Sequence, residues 1–558
     1  MPGAALAERA KPAWLYGAAL LLVIAYVLLV DLDATPFDDS LFFKRFALHA
    51  IEGGGFSWNV SDGPVYGLTS QLFALLALPL TWLFRAHFVL ACKLLLATSL
   101  LAAGAILLRF AARSKVCAAD AGLLVLLALG TPLTLLGPHT GMETSLSLAL
   151  LALALNSILE GDGHALHAVR CAGWTVLVYS CRPDAALIPA LVFVLSQRRN
   201  ALGLLQYALL LGLQLGAFLI LLRLYYGTAL PLPFYAKTAG LSAYDSELRA
   251  AGAHNKLEHL LTFCAFSAPL AWVAAQARDT RVSALLAASA AFVAYQALVT
   301  DEIMGYRARF YVPALVSLAF AAILAWEPVR ARSDLRAARS AWLAWAALLG
   351  VGYAARLLEQ GHASALDRVP LTAYAAQLFF GVLLCGRVGK APWLSARAVT
   401  TASLGVLALS ALALRGPRWP DAPLDDATFL RRASAEVTTT RGLFEVARCI
   451  PGPQTLYHSE IGIPGLLLPE WRIVDLAGLM STRLALHRPP FDEYCLRDRP
   501  AVLFLPHKAY RALNAEIRAS SCLRDYTRMV RDSSSPLYIR NDLSPAFSAC
   551  RRDPWQSE

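Results

Sequence analysis

Long apolar runs alternate with short basic clusters from residue 14 to residue 414, and this alternation limits the fold more than any other feature. A membrane-spanning helix needs about 20 predominantly apolar residues. Of the 558 residues, 57% are hydrophobic and 16% are charged, whereas about a quarter of the residues of an average soluble domain are charged. The mean hydropathy is +0.51. The sequence therefore predicts an all-α polytopic membrane protein. It excludes a soluble globular enzyme, and its 10% aromatic content excludes a disordered chain.

The basic clusters predict the orientation of the chain in the membrane. Arg9 and Lys11 precede an apolar run over 14–30 that no small-residue cleavage site follows, which favours a retained first span with a cytoplasmic N-terminus. If the apolar segment 68–84 also crossed the membrane, the basic loop 109–115 would lie outside, against the positive-inside rule. We therefore interpret 68–84 as a helix lying flat in the membrane interface.

This choice places every short basic loop on the cytoplasmic side and gives about 13 spans. Two short spans meet at Arg182-Pro183-Asp184, where the proline interrupts the helix and a polar break at membrane depth indicates a cavity. The spans predicted after the first are 88–108, 119–136, 142–159, 168–181, 184–197, 201–223, 258–276, 282–299, 309–326, 341–358, 370–386 and 398–414.

The composition changes after Leu414, and this change predicts two domains. Residues 1–415 form the transmembrane domain, including a first outside loop over 31–87. Residues 416–558 are charged and contain no span, so an odd number of spans places them outside as a soluble α/β or α+β domain. Strands are expected at 456–458, 473–475 and 501–505, and helices around 429–450 and 509–519.

Ten cysteines divide between the two domains. Four of them, Cys449, Cys495, Cys522 and Cys550, belong to the soluble domain. In an oxidising compartment they permit two disulfides with three alternative pairings, and free thiols are the other reading. The six remaining cysteines lie in or beside spans and are interpreted as packing residues.

The formal net charge of +11 does not indicate nucleic-acid binding, because the basic residues fall in loops between spans. Motifs for other classes of site are missing as well. There is no Cys-x-x-Cys pair, the histidines are scattered, and no Walker loop or Gly-x-Gly-x-x-Gly turn opens a helix. The sequence thus predicts no required cofactor and no nucleotide site.

The first outside loop is the densest polar segment of the membrane half. It contains Asp38 and Asp39, two adjacent carboxylates just beyond a span. Repulsion between them raises the pKa of one, which suits a general base. The alternative is a capped juxtamembrane helix, because aspartate is a good N-cap. Such a pair can also bind a divalent metal ion, although its spacing does not require one.

Other polar side chains recur at the same outer edge of the predicted spans. Ionisable residues at membrane depth are expensive and are candidate site residues by default, although a single Arg or Lys more often extends to the headgroups. Their number beside a carboxylate pair favours an outward-facing cavity that binds a phosphate group. They are Lys93, His139, Glu143, Arg182, Asp184, Tyr235, Lys237, Arg307 and Arg309.

In matching order over about 30–480, the motifs of this sequence resemble the polytopic GT-C glycosyltransferases, and most closely the AftB-type arabinofuranosyltransferase branch of bacteria. The first loop carries the Asp-Asp pair, an aromatic helix with Arg45, Trp58-Asn59 and Gly63-Pro64-Val65-Tyr66-Gly67. The layout also resembles the lipid A aminoarabinose transferases. The other matching motifs are Gly141-Met142-Glu143-Thr144, Arg182-Pro183-Asp184, Tyr225-Tyr226-Gly227, Phe234-Tyr235-Ala236-Lys237, Arg309-Phe310-Tyr311-Val312-Pro313 and Val474-Asp475-Leu476-Ala477-Gly478-Leu479.

The resemblance implies a glycosyltransferase of the bacterial plasma membrane that uses a polyprenyl-phosphate sugar, with arabinofuranose favoured. Its base is an acidic residue of the first outside loop, here Asp38 or Asp39, and we favour Asp39. The branch often carries Glu at the position of Asp184. It also carries Glu at the position of Tyr66, and this second difference bears on the acceptor preference. The residues assigned to binding of the donor phosphate are Lys93, Arg182, Lys237, Arg307 and Arg309. Those assigned to substrate binding are Arg45, Trp58, Tyr66, His139, Glu143, Asp184, Tyr235 and Asp475.

The mechanism expected from these residues is an inverting displacement. The acceptor hydroxyl of a glycan, lipid or protein gives its proton to the base and attacks the anomeric carbon, and polyprenyl phosphate leaves. The main alternative is a transporter or flippase of lipid-linked substrates. The large outside domain and the lack of internal repeats argue against it. An O-antigen ligase or polymerase is a second alternative, but its large late outside loop has no counterpart, because 359–369 is short.

Overall fold

The computed structural model describes residues 38–161, 165–238, 246–300, 306–332, 345, 381–383, 387, 425–430, 438–506, 510–529 and 537–552. The described residues fall into two compact units. We call the first the helical unit; it comprises those within Lys93–Leu215 and His254–Ala422. We call the second the mixed unit; it comprises those within Thr35–Cys92, Gly216–Ala253 and Pro423–Glu558.

The first half of the described chain is α-helical. Short 3-10 turns lie at Val60–Asp62, Pro183–Ala186 and Tyr306–Tyr311. The helices are α1 (Asp38–Ile51), α2 (Gln71–Leu83), α3 (Phe88–Arg113), α4 (Ala118–Leu129), α5 (Pro132–Thr140), α6 (Thr144–Leu159), α7 (Ala165–Cys181), α8 (Leu187–Ser196), α9 (Ala201–Tyr226), α10 (Leu232–Thr238), α11 (Ser246–Ala275), α12 (Thr280–Leu298) and α13 (Val312–Arg332).

Five helical segments in the described residues are long and apolar enough to cross a membrane. Two of them show the extremes of burial. The segment Ala308–Ala331 is 83% buried, and its side chains pack against α4, α6 and α12 as the centre of the helical unit. Ala201–Tyr226 is only 6% buried, so an almost wholly apolar helix presents its side chains outward, as a lipid-facing helix does. The chain is therefore a membrane protein.

The predicted count of about 13 spans is not confirmed, because the first span and the spans at 341–358, 370–386 and 398–414 fall largely or wholly outside the described residues. The predicted span 119–136 is divided between α4 and α5 at Gly130 and Thr131. The segment predicted to lie flat forms α2, whose 13 residues rise about 20 Å, less than the hydrocarbon thickness of about 30 Å. This length is consistent with an interfacial helix.

The C-terminal part of the mixed unit is built on a five-stranded sheet. The sheet has the order β2-β1-β3-β5-β4, in which β1 pairs in parallel with β2 and β3, and β5 pairs antiparallel with β3 and β4. The strands are β1 (Thr455–His458), β2 (Arg472–Asp475), β3 (Val502–Phe504), β4 (Tyr526–Met529) and β5 (Leu537–Arg540). The helices are α14 (Thr438–Cys449), α15 (Gly462–Leu467), α16 (Thr482–Leu486), α17 (Phe491–Asp498), α18 (Arg511–Ala519) and α19 (Ser544–Arg552).

These elements confirm the three strands expected between 456 and 505. In the region of the expected helix over 429–450, residues 426–430 and Thr438–Cys449 are helical, and residues 431–437 lie outside the described residues. Both disulfides form, Cys449–Cys550 and Cys495–Cys522, which selects one of the three pairings. The predicted domain boundary near 415 lies outside the described residues.

The first loop packs with the C-terminal segment in the mixed unit. Helix α1 packs on α2, where the rings of Phe43 and Phe73 meet edge to face at 4.7 Å, and it also packs on α15. The indole of Trp58 donates a hydrogen bond of 2.9 Å to the carbonyl of Ile473 in β2. The first loop thus makes long-range contacts with the C-terminal segment.

Candidate functional site

Asp38 and Asp39 lie at the N-terminal end of α1 in the mixed unit. The partial positive charge at this end of a helix stabilises carboxylates. The Asp38 carboxylate accepts hydrogen bonds of 2.7 Å from the backbone N–H groups of Gly462 and Ile463. A Cβ atom at Gly462 would lie 1.9 Å from the carbonyl oxygen of Asp38, so glycine is required for this approach. Asp38 therefore joins the first loop to α15.

The electrostatics of this region come from four carboxyl groups. Burial raises the pKa of Asp38 to about 6, the two backbone N–H groups oppose the rise, and the charge of Asp39 adds to it. Burial likewise raises the pKa of Asp475 to about 7 against three backbone hydrogen bonds. Asp39 raises the pKa of Asp475 as well, which places the two groups near one another. The structure thus brings together three of the acids that sequence analysis named.

Glu460 is the fourth carboxyl group, and sequence analysis missed it. Burial, together with the charges of Asp38, Asp39 and Asp475, raises its pKa to about 8. It follows the carboxyl end of β1, two residues after His458. In parallel sheets, functional side chains gather at this end of the strands. Its position after a predicted strand was the only available signal in the sequence.

Arg45 and Trp58, which the resemblance assigns to substrate binding, are buried side chains that hold the mixed unit together. Arg45 is 2% exposed and donates to the carbonyl oxygens of Gly465, Leu468 and Trp471 at 2.9, 3.2 and 2.7 Å. It also donates to the carbonyl of Trp58 at 2.8 Å, and its guanidinium lies over that indole ring. These contacts fix the position of α1 and of the carboxylates at its start.

Two other predicted substrate residues lie in the mixed unit. Tyr66 is buried and stacks on Tyr226, with ring centroids 5.0 Å apart. Tyr235 lies half-buried on α10, a helix that packs against α16. The side chain of Lys237 lies outside the described residues, as do those of His139 and Arg307.

The helical unit contains a separate polar cluster around the break at Arg182. Proline disfavours the helical conformation of the residue before it, and Arg182 is extended, at φ −151° and ψ 99°, between α7 and a 3-10 turn. The predicted break between two half-length helices is thereby confirmed. The break turns the Arg182 side chain onto Asp184, with Nε 3.0 Å from Oδ1.

The partners of this cluster come from three further elements. Gln296 of α12 donates to the Asp184 carboxylate at 2.6 Å. The ring of Phe310 has the guanidinium groups of Arg182 and Arg309 at 5.4 and 5.1 Å from its centroid. Glu143 is buried within electrostatic range of both arginines, and its Oε2 has no hydrogen-bond partner in the described part of the chain. Two cations beside an incompletely paired buried carboxylate form a polar site in a largely apolar unit.

Lys93 completes the predicted set. It is 4% exposed near the start of α3, within the helical unit. No group of three His, Cys, Asp or Glu side chains suited to a metal ion occurs among the residues that the structure describes.

Solved structures define the class of fold. The chain is similar to the crystal structure of ArnT from Cupriavidus metallidurans bound to undecaprenyl phosphate, with a TM-score of 0.59 and 14% sequence identity, over 94% of this chain and 97% of that chain. The apo structure of the same protein matches with a TM-score of 0.57 and 16% identity, over 96% and 99%. The chain therefore has the fold of ArnT. No family model and no curated protein matches the sequence.

Proposed function

We propose that the protein is an inverting membrane glycosyltransferase that moves a sugar from a polyprenyl-phosphate donor to a cell-envelope acceptor. The observation that carries the proposal is the position of Asp39 among the carboxyl groups at the start of α1, in a chain with the fold of ArnT. The matching structure of ArnT holds undecaprenyl phosphate. The ordered sequence motifs favour arabinofuranose as the sugar and a glycan, lipid or protein as the acceptor.

Asp39 is the proposed base, because it stands among the carboxyl groups at the start of α1 and its charge acts on both Asp475 and Glu460. In the transfer, the acceptor oxygen forms a bond to the anomeric carbon and its proton passes to Asp39. The bond from the anomeric carbon to the phosphate oxygen breaks, and polyprenyl phosphate leaves with the electron pair. The low pKa of a phosphate leaving group makes a protein acid unnecessary. General-base catalysis of this kind contributes about 10²–10⁴-fold in rate.

Arg182 and Arg309 are proposed to balance the negative charge of the donor phosphate, with Lys93, Lys237 and Arg307 as further cations. Arginine suits this part because its fork of donors matches phosphate oxygens. Asp184 orients Arg182 through a hydrogen bond, and Gln296 donates to the same Asp184 carboxylate. The chemistry requires no metal ion or cofactor. We place the protein in the bacterial plasma membrane with the soluble segment outside, and the two disulfides support that side.

The test is a transfer assay with the purified full-length protein and a panel of polyprenyl-phosphate sugars, with mass detection of the product. We expect one donor, a polyprenyl-phosphate arabinofuranose, to give product with inverted anomeric configuration. The same protein in lipid vesicles distinguishes a transferase from a flippase. Movement of the lipid-linked sugar across the bilayer without any glycosyl product would identify a flippase. Release of free sugar or of a glycosylated acceptor identifies a transferase.

A further inference from the structure

An apolar cavity of about 530 Å³ lies between the C-terminal ends of α1 and α2 in the mixed unit. Ile51, the last residue of α1, lines one side, and Leu78, Pro79 and Trp82 of α2 line the other. None of the side chains that line this cavity is charged. A concave site of this composition suits an apolar ligand. We call it the apolar groove.

Exposed apolar side chains extend from the groove along the end of α2. Ile51 is exposed, and Trp82 is 72% exposed. Leu83 and Phe84, which directly follow Trp82, are exposed as well. Exposed apolar patches mark contacts with a partner or a membrane, and tryptophan is enriched where a bilayer meets water. These side chains agree with the interfacial position expected for α2.

Tyr225 joins the groove to a helix that faces lipid. It lines the groove and is the last residue but one of α9, the apolar helix that is only 6% buried. Its hydroxyl accepts a hydrogen bond of 2.9 Å from the backbone N–H of Phe56. A Cβ atom at Gly55 would lie 2.8 Å from the hydroxyl oxygen, so glycine allows this approach. The groove is therefore continuous with a surface that hydrocarbon chains cover, which favours a lipid chain as its occupant.

An exposed ion pair lies next to the groove. Glu52 directly follows Ile51, and its carboxylate lies 2.7 Å from a guanidinium nitrogen of Arg85, which follows α2. Exposed ion pairs contribute little to stability, so a ligand can replace this pair at small cost. A guanidinium group binds phosphate, and a carboxylate binds an ammonium group. The pair therefore complements a headgroup that carries one of each, whereas an anionic headgroup would be repelled by Glu52.

The position of the groove separates it from the proposed reaction. Asp39 lies at the start of α1 and Ile51 at its end, which corresponds to about 18 Å along the helix at 1.5 Å per residue. A lipid with its headgroup at Arg85 and Glu52 therefore does not present that headgroup to the proposed base. This separation favours a lipid of the bilayer over the sugar donor.

We propose that the apolar groove binds one acyl chain of a zwitterionic phospholipid, whose phosphate pairs with Arg85 and whose ammonium group pairs with Glu52. This lipid is a structural component that fixes the C-terminal ends of α1 and α2 in the membrane interface. It is neither the donor nor the acceptor of the proposed transfer, and its binding involves no covalent step.

Native mass spectrometry of the purified full-length protein tests this site. The protein is delipidated and then titrated with dioleoyl phosphatidylethanolamine or with dioleoyl phosphatidylglycerol, which carry the same acyl chains. We expect the wild type to bind one molecule of the ethanolamine lipid at about 10-fold lower concentration than the glycerol lipid. Glu52→Gln should bind both lipids but lose this preference. Ala50 also lines the groove, and Ala50→Trp should raise the concentration for half-occupancy about 10-fold or more, because an indole fills the groove.

Leu75→Trp is the matched control, because Leu75 is exposed on α2 but does not line the groove. It introduces the same side chain and should leave lipid binding unchanged, and thermal unfolding verifies that each variant is folded. Three results would overturn the proposal: unchanged binding by folded Ala50→Trp, equal affinity of the wild type for the two lipids, or displacement of phosphatidylethanolamine by an equal concentration of undecaprenyl phosphate. The transferase proposal is tested separately, because this assay measures no transfer.

Discussion

The carboxylate of Asp38 accepts hydrogen bonds from α15, including one of 2.7 Å from the backbone N–H of Gly462, across 424 residues of sequence. The adjacent Asp39 shares the start of α1, and its charge acts on Asp475 and Glu460. Asp38 thus connects two segments of the mixed unit, whereas Asp39 is the residue that we propose as the base.

The two aspartates are therefore expected to respond differently to the same substitution. Asp39→Asn should lower kcat for transfer about 10²–10⁴-fold, because it removes the proposed base. Asp38→Asn should lower the free energy of unfolding by about 1–3 kcal/mol, because an amide has one acceptor oxygen for two N–H donors. Transfer kinetics measure kcat of both variants, and thermal unfolding measures their stability. Near-wild-type transfer by folded Asp39→Asn would show that the base is assigned wrongly.

Arg45 provides a second prediction, on stability. Arg45→Lys should lower the free energy of unfolding by about 3 kcal/mol or more, because a lysine cannot reach the several carbonyl oxygens that the guanidinium binds. Arg85→Lys is the control: Arg85 is exposed and pairs with exposed Glu52, where a change of about 0–1 kcal/mol is expected. Chemical unfolding in detergent measures both. Equal changes in the free energy of unfolding for the two substitutions would contradict the structural role of Arg45.

The disulfides give a third prediction. Cys449–Cys550 closes 101 residues and Cys495–Cys522 closes 27. In the chain-entropy description, their removal costs about 4.7 and about 3.5 kcal/mol. The paired Cys→Ser variants should therefore both unfold at lower temperature, the Cys449 and Cys550 variant more so. Thiol labelling checks the pairing, because these four cysteines should react only after reduction. Labelling of any of them in the untreated, unfolded protein would contradict it.

The raised pKa values predict how stability depends on pH. Asp38, Asp475 and Glu460 have pKa values of about 6, 7 and 8 in the folded protein, above their ordinary values of 3.8, 3.8 and 4.5. The folded state therefore binds protons more strongly than the unfolded state, and these groups destabilise it progressively as the pH rises from about 4 to about 8. Asp475→Asn removes one of them.

Thermal unfolding of the wild type and of Asp475→Asn between pH 5 and pH 8 measures this effect. The midpoint of the wild type should fall relative to that of the variant as the pH rises, whatever constant offset the lost hydrogen bonds introduce. Parallel midpoint curves across this range would mean that Asp475 is ionised throughout.

Local patterns predicted much of this fold. The proline at 183 required the helix to end at the preceding residues, and the apolar strand at 456–458 required burial in a sheet. The sequence also placed Asp39 in a candidate site. It did not indicate Glu460, because the contacts that give this residue its surroundings join positions more than 420 residues apart. Nor did it reveal that Arg45 bonds to carbonyl oxygens of the C-terminal segment, since backbone acceptors carry no sequence signature.

The pairing of the first loop with the C-terminal segment has a consequence for biosynthesis. A ribosome adds about 5–20 residues per second, so the 424 residues between Asp38 and Gly462 take roughly 20–85 s to make. During that time the first loop is present without the C-terminal segment, which supplies the other carboxyl groups of the site. Completion of this group therefore depends on a segment synthesised much later, since chains truncated before β1 would lack Glu460 and Asp475 whatever the state of their membrane half.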